Sequence, residues 1–199
     1  MKLVLASGNP GKLREIGSVL APLSFEVISQ ASLGIAEAPE PHDTFLENAL
    51  AKARHASRAA GLPALADDSG LCVEALSGEP GVHSAYYAGR EGSREQRDRR
   101  NNEKLLLSLK EKRKAYYYCV MVLVQRADDP KPLIAEGLWR GEIGRSPRGA
   151  SGFGYDPLFY ISKLRKTAAE LDPAEKNRLS HRGQALQRLI GLLNDLSHS

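Results

Sequence analysis

The sequence predicts an α/β fold: a single compact unit of two lobes on a mixed central sheet flanked by helices, with an antiparallel hairpin building one lobe. Three observations carry this reading. The chain opens on a strand, a polar loop and a helix. The apolar run 64–66 delivers Asp67 and Asp68 at its carboxyl end, which is where open α/β sheets keep their ligands. Residues 116–125 and 133–143 form two long β-rich runs around a single turn. With 199 residues and 42% hydrophobic content, the chain is long enough to bury a substantial core.

Composition narrows the classes. The two cysteines, Cys72 and Cys119, lie in apolar strand-like runs and suit a reducing compartment rather than a disulfide scaffold. The apolar run before Ser7 is too short for a signal peptide, and no stretch approaches the ~18 apolar residues of a membrane span, so a cytoplasmic protein is expected. A net charge of +4 is compatible with an anionic ligand without demanding one.

Taken in order, residues 2–6 read as an inner strand, broken by Ser7, Gly8, Asn9, Pro10, Gly11 and Lys12. Leu13, Ile16, Val19 and Leu20 then recur at helical spacing, with Asn9 as N-cap and Pro10 in the first turn. The free N–H groups there, the helix dipole and Lys12 suit a phosphate. Because Leu13 follows Lys12, the loop is not a Walker P-loop, and a capped helix with a solvent lysine reads equally well. Residues 25–28 read as a second strand, and the loop 31–41 carries Glu37 and Glu40. A helix over 44–60, capped by Asp43, places Phe45, Ala49, Ala53 and Ala56 on a buried stripe with Asn48 and Lys52 along its edge.

Asp67, Asp68, Ser69 and Gly70 follow the strand 64–66. Read alone they also make a solvated turn, with Gly70 bending the backbone before another strand over 71–75. Two adjacent carboxylates are nevertheless hard oxygen ligands of the kind Mg²⁺ takes. Residues 90–114 are dense in charge and read as a solvated helix anchored by leucines; the aromatics that would stack RNA bases are absent from the segment. Glycines flank Phe153, which fits either a tight turn or close backbone approach. Leu186, Leu189, Ile190, Leu193 and Leu196 mark a last amphipathic helix capped by Ser180. Its first turn would hold His181 and Arg182 against the positive end of the dipole, a broken local rule of the kind found at functional sites.

Six blocks in order, 7–12, 45–52, 66–71, 78–85, 152–159 and 180–186, together resemble the non-canonical purine nucleoside triphosphate pyrophosphatases, the dITP/XTP or inosine triphosphate pyrophosphatase family, across nearly the whole chain. The resemblance implies hydrolysis of dITP, ITP and XTP to the monophosphate and pyrophosphate, with Mg²⁺, in a cleft between the lobes of a cytoplasmic homodimer that binds neither nucleic acid nor membrane. Carried over by position, Asp68 is the catalytic carboxylate and a metal ligand, with Glu40, or else Glu37, as the second. Ser69 touches substrate. Ser7, Gly8, Asn9, Pro10, Gly11, Lys12, Lys52 and Lys176 hold the triphosphate, while Phe153, Gly154, Tyr155, Asp156, His181 and Arg182 hold the base. Tyr86 stands where the family usually has Arg. Two alternatives are a Maf-like pyrophosphatase, disfavoured by the 7–12 loop, and a non-catalytic nucleotide or RNA-binding module, which has no use for Asp68.

Overall fold

The structure is a computed structural model that describes residues 1–23 and 25–197; the side chain of Leu196, expected on the last apolar stripe, lies outside the described set. Seven strands form one mixed sheet in the order β2-β1-β3-β4-β5-β6-β7. In chain order these are β1 (Lys2–Leu5), β2 (Glu26–Ser29), β3 (Ala64–Val73), β4 (Lys114–Val124), β5 (Leu133–Ile143), β6 (Phe159–Ile161) and β7 (Lys166–Thr167). β1 runs parallel to β2 and to β3, whereas β6 is antiparallel to β5 and to β7. Among the described residues five α-helices accompany them: α1 (Pro10–Leu20), α2 (Phe45–Ala60), α3 (Arg94–Ser108), α4 (Pro173–Leu179) and α5 (His181–Ser197).

The chain divides into two compact units, each with its own core. The first takes the described residues of Met1–Asp68, Cys119–Glu136 and Ala185–Ser199. There Leu3 and Leu5 of β1, Ile16 and Leu20 of α1, Leu65, Met121 and Leu123 are all but inaccessible, and Leu189 of α5 joins them. Each such side chain contributes about 1.5–3 kcal/mol by leaving water. The second unit, Ser69–Tyr118 and Gly137–Gln184, packs Leu71, Val73, Leu105, Leu158 and Phe159 around Tyr117 and Trp139.

Local signals explain most element ends. Asn9 caps α1, its Oδ1 accepting from the Gly11 N–H at 2.9 Å, with Pro10 where a missing N–H costs nothing. α2 is capped by Thr44 rather than by the expected Asp43: the Thr44 hydroxyl accepts from the Glu47 N–H, and Glu47 answers through its own carboxylate. The Thr44 hydroxyl thus accepts from the Glu47 N–H and donates to the Glu47 carboxylate.

The larger difference lies in β3. The expected turn at Asp67–Gly70 does not form; β3 is a continuous strand of 10 residues through the acidic stretch, and of the separate strand expected over 71–75 only 71–73 are extended, as the end of β3, while Glu74 and Ala75 lie in a short 3-10 turn. Turn propensity yields because β3 is held in the sheet, by β1 at Ala64 and Leu65 and by β4 as its other neighbour, while Lys12 and Lys52 pair with its two carboxylates. Asp67 and Asp68 are consequently buried.

The β4–β5 turn is clamped by one carboxylate. Asp129 accepts from the Gln125 N–H and from the Lys131 N–H, both at 2.9 Å, and these backbone bonds hold its pKa below the usual aspartate value. A depressed carboxylate pKa stabilises the fold fully above the unfolded value, about 3.9, and that contribution is lost as pH falls through the folded value. Asp129→Ala should therefore lower the melting temperature by about 2–6 °C at pH 7, with the gap to the parent narrowing as pH falls below the unfolded aspartate value, about 3.9, in a pH series of thermal melts.

Candidate active site

Alternation along β3 points Asp67 and Asp68 to opposite sides of the strand, and a helix supplies a lysine on each side. Lys12, in the first turn of α1, reaches Asp67 at 2.8 Å. Lys52, in the middle of α2, sits between two acids, 2.9 Å from Asp68 Oδ1 and 2.8 Å from Glu40 Oε1. The cluster holds three carboxylates against two ammonium groups. The two pKa shifts in it have different causes: the carboxylates raise Lys52, and burial raises Asp68. Burial would lower the Lys52 pKa, but Asp68, Glu40 and Asp67 overcome it and raise the group above an ordinary lysine. Burial raises the Asp68 carboxyl, against the pull of Lys52 and with Glu40 adding to the rise. Asp68 Oδ2 is buried without a hydrogen-bond partner among the described residues, so a carboxylate oxygen stands ready for a ligand.

The 7–12 loop faces anions as its sequence suggests. The Gly8 N–H donates to Glu37 Oε1 at 3.0 Å, and the Asn9 N–H to the Ser7 hydroxyl at 3.1 Å. Of the two glutamates left open by the sequence, Glu40 joins Asp68 through Lys52, whereas Glu37 binds the loop.

The second unit assembles another group of residues. Asp156 accepts from the Phe153 N–H at 2.8 Å, from Lys176 Nζ at 2.6 Å and from the Tyr117 hydroxyl at 3.4 Å. Gly152, with φ +80°, leaves the space into which the Asp156 carboxylate folds back; a methyl group there would collide with it. Lys176, expected among the phosphate lysines, thus has Asp156 as its partner. Around the Phe153 ring stand three cations, with Arg94 at 4.6 Å, Lys176 at 4.7 Å and Arg182 at 5.8 Å from the centroid. Tyr155 is buried, and its hydroxyl donates to the Ser84 carbonyl at 2.9 Å, so it serves packing.

At the start of α5, Ser180 accepts from the Gly183 N–H, and Gly183 packs so tightly on the Asn177 carbonyl that no Cβ fits. The two side chains placed at the positive end of the dipole both have partners: the Arg182 guanidinium donates to the Ser69 hydroxyl at 3.1 Å, and the His181 ring stacks on Tyr117 at 4.6 Å and 7°. Tyr117 was missed in the sequence because a tyrosine inside a β-rich run looks like any core residue. Tyr86, where an arginine was expected, lies under Arg90 at 4.3 Å and Arg97 at 5.5 Å.

Comparisons with known proteins find similar chains. The family model described as the Ham1 family matches residues 3–192. A dITP/XTP pyrophosphatase of Burkholderia pseudomallei (strain K96243) is 60% identical over 197 residues, covering 98% of this chain and 94% of the relative. One from Nitrosomonas europaea is 60% identical over 196 residues, covering 98% and 95%. Among solved structures, a HAM1 protein from Coxiella burnetii superposes with a TM-score of 0.91 at 47% identity, covering 98% of this chain and 99% of that one. The Staphylococcus aureus Ham1 protein gives 0.87 at 38%, with coverage of 98% and 99%.

The charge cluster generates a stability test. Lys52→Met leaves Asp68 and Glu40 without their shared cation and should cost roughly 3 kcal/mol at pH 7. Because the Asp68 pKa is already raised and rises further without Lys52, the deficit should shrink as pH falls and Asp68 takes up a proton. Urea denaturation of parent and variant at pH 7 and pH 5 checks this; a deficit that is equal or larger at pH 5 contradicts it.

Proposed function

The chain belongs to the Ham1 family, and on that footing we propose that it hydrolyses non-canonical purine nucleoside triphosphates, dITP, ITP and XTP, to the nucleoside monophosphate and pyrophosphate, clearing them from the nucleotide pool. The observation that carries the reading is Asp68: a buried carboxylate with one oxygen on Lys52 and the other unsatisfied. In a purely structural ion pair both oxygens would be occupied.

The residues also fit a divalent cation. Asp68 and Glu40 offer hard carboxylate oxygens in a cluster of net negative charge, and among the described residues no group of three or more His, Cys, Asp or Glu could hold a metal. Two carboxylates, with water and substrate phosphates completing the shell, suit Mg²⁺ better than Zn²⁺ or Ca²⁺. When bound, Mg²⁺ would supply Lewis-acid neutralisation of phosphate charge.

The chain's own groups divide the remaining work. Asp68 Oδ2 orients the water that attacks the α-phosphorus and accepts its proton, while the α–β bridging oxygen departs with pyrophosphate. The 7–12 loop N–H groups with Lys12 and Lys52 hold the phosphates and stabilise the charge that develops on the bridging oxygen. Each lysine already rests on a carboxylate, so an incoming phosphate exchanges one anionic partner for another. Phe153 stacks on the purine; His181, Arg182 and backbone N–H groups donate to its 6-keto oxygen. Donors at that position face adenine's amino group and reject it, whereas guanine shares the keto group and must be turned away near C2. A hydrogen-bonding site can discriminate by ~10⁴, and shape alone by ~10–200. ATP is consequently rejected more firmly than GTP. The homodimer rests on the resemblance, and the cytoplasmic location on the composition and the short apolar N-terminal run.

Pyrophosphate release from ITP, dITP, XTP, GTP and ATP, with and without Mg²⁺, tests the function; equal rates on ATP and ITP would refute it. Asp68→Asn, which keeps the shape and removes the charge, should lower kcat by about 10²–10⁴ with the fold intact by circular dichroism. Arg182→Ala should narrow the ITP to ATP ratio of kcat/KM, and an unchanged ratio would move base reading to the backbone or to Asp156.

A further inference from the structure

Helix α3 reads in the sequence as a solvated, charge-rich helix, yet one polar stripe of it is committed to the loop that carries Phe153. Arg94, Asp98 and Asn102 recur at four-residue intervals on successive turns and so share a face. Asp98 Oδ2 accepts from the Gly154 N–H at 2.9 Å. Asn102 Nδ2 donates to the Gly154 carbonyl at 2.8 Å and to the Asp98 carbonyl at the same distance. Both polar backbone groups of Gly154 are therefore taken by α3. Arg94, 4.0 Å from Asp98 Oδ2, lays its guanidinium over the Phe153 ring.

Two features show that this stripe does more than cover a surface. Gly154 has φ +63°, one of several conformations open to a glycine, and the two α3 bonds select it. Asn102 makes its bonds with the amide nitrogen while its Oδ1 is buried without a partner among the described residues, so the amide orientation that reaches Gly154 prevails over full satisfaction of the side chain. α3 is itself anchored, capped by Ser93 and Gln96 and buried through Leu105.

We propose that Asp98 and Asn102 are positioning residues for base recognition: by holding both backbone groups of Gly154 they fix the depth and tilt of the Phe153 ring, with Arg94 covering it. The inference rests on the reading of Phe153 as the platform for the purine. Removing either bond lets the loop populate positions that cannot stack a base. The apparent affinity falls by the fraction of molecules that remain competent, while the phosphate chemistry at Asp68 proceeds as before once a nucleotide is bound.

The experiment compares kcat and KM for ITP and GTP in Asp98→Ala, Asp98→Asn, Asn102→Ala and Phe153→Ala, and in the double variants that join Phe153→Ala to each α3 alanine. We expect Asp98→Ala and Asn102→Ala each to raise KM for both nucleotides about five- to tenfold with kcat within about twofold. Asp98→Asn, whose amide oxygen still accepts from the Gly154 N–H, should return close to the parental KM. In the Phe153→Ala background neither alanine should raise KM further, because the ring they position is gone. The proposal is overturned if both single variants keep the parental KM while Phe153→Ala raises it, or if their effects persist undiminished in the Phe153→Ala background. A parental KM in Phe153→Ala itself would sink the platform reading instead. Asn102→Ala, which touches neither the helix cap nor the core, carries the same test should Asp98→Ala not fold.

Discussion

Two consecutive carboxylates in the middle of a buried strand are the constraint on which this structure depends. An isolated ionised carboxylate costs several kcal/mol to bury, and here Asp67 and Asp68 are buried side by side in β3. The strand can hold them because alternation sends them to opposite sides, where α1 and α2 each present a lysine. The register of both helices follows from this. Lys12 must fall in the first turn of α1, immediately after the Asn9 cap, and Lys52 must lie on the edge of the alanine stripe that seats α2. The compact ammonium suits the task, since one Lys52 Nζ serves Asp68 and Glu40 at once, which a guanidinium with its fixed fork would do less readily.

The second unit applies the same logic to a single carboxylate. Asp156 is nearly inaccessible and draws donors from three elements: the backbone of its own loop, Lys176 of α4 and Tyr117 of β4. Tyr117 in turn carries the His181 ring on its face, so one aromatic side chain connects the loop carboxylate to the start of α5. Burial, with Asp156 and Tyr155 nearby, pushes the Tyr117 hydroxyl well above its ordinary pKa and keeps it a neutral donor at any physiological pH.

The sequence was most legible where a signal is local. The Asn9-Pro10 start of α1, the apolar stripe of α2, the Ser180 start of α5 and the two runs that became β4 and β5 each carry their own cap or periodicity. It misled where tertiary context overrides local preference. Asp67 to Gly70 has turn composition, but its place within a sheet strand and two lysines from distant helices keep it extended, and neither influence is visible at that position. The charges of α3 hid a stripe at 94, 98 and 102 whose meaning appears only once Gly154 is found against it. Lys176 could not be assigned a partner from spacing, because Asp156 lies 20 residues away in a separate loop.

Gly183 carries a consequence for anyone who maps this protein by substitution. The residue has no side chain to contribute, yet its α-carbon lies so close to the Asn177 carbonyl that even a methyl group must push the end of α4 aside. The Ser180 hydroxyl, bonded to the Gly183 N–H, would move with it, and so would the first turn of α5 that bears His181 and Arg182. A survey that ranks positions by the groups removed would score Gly183 as blank, and one that ranks them by the groups added would find it among the least tolerant in the chain. At this junction the information is carried by empty volume.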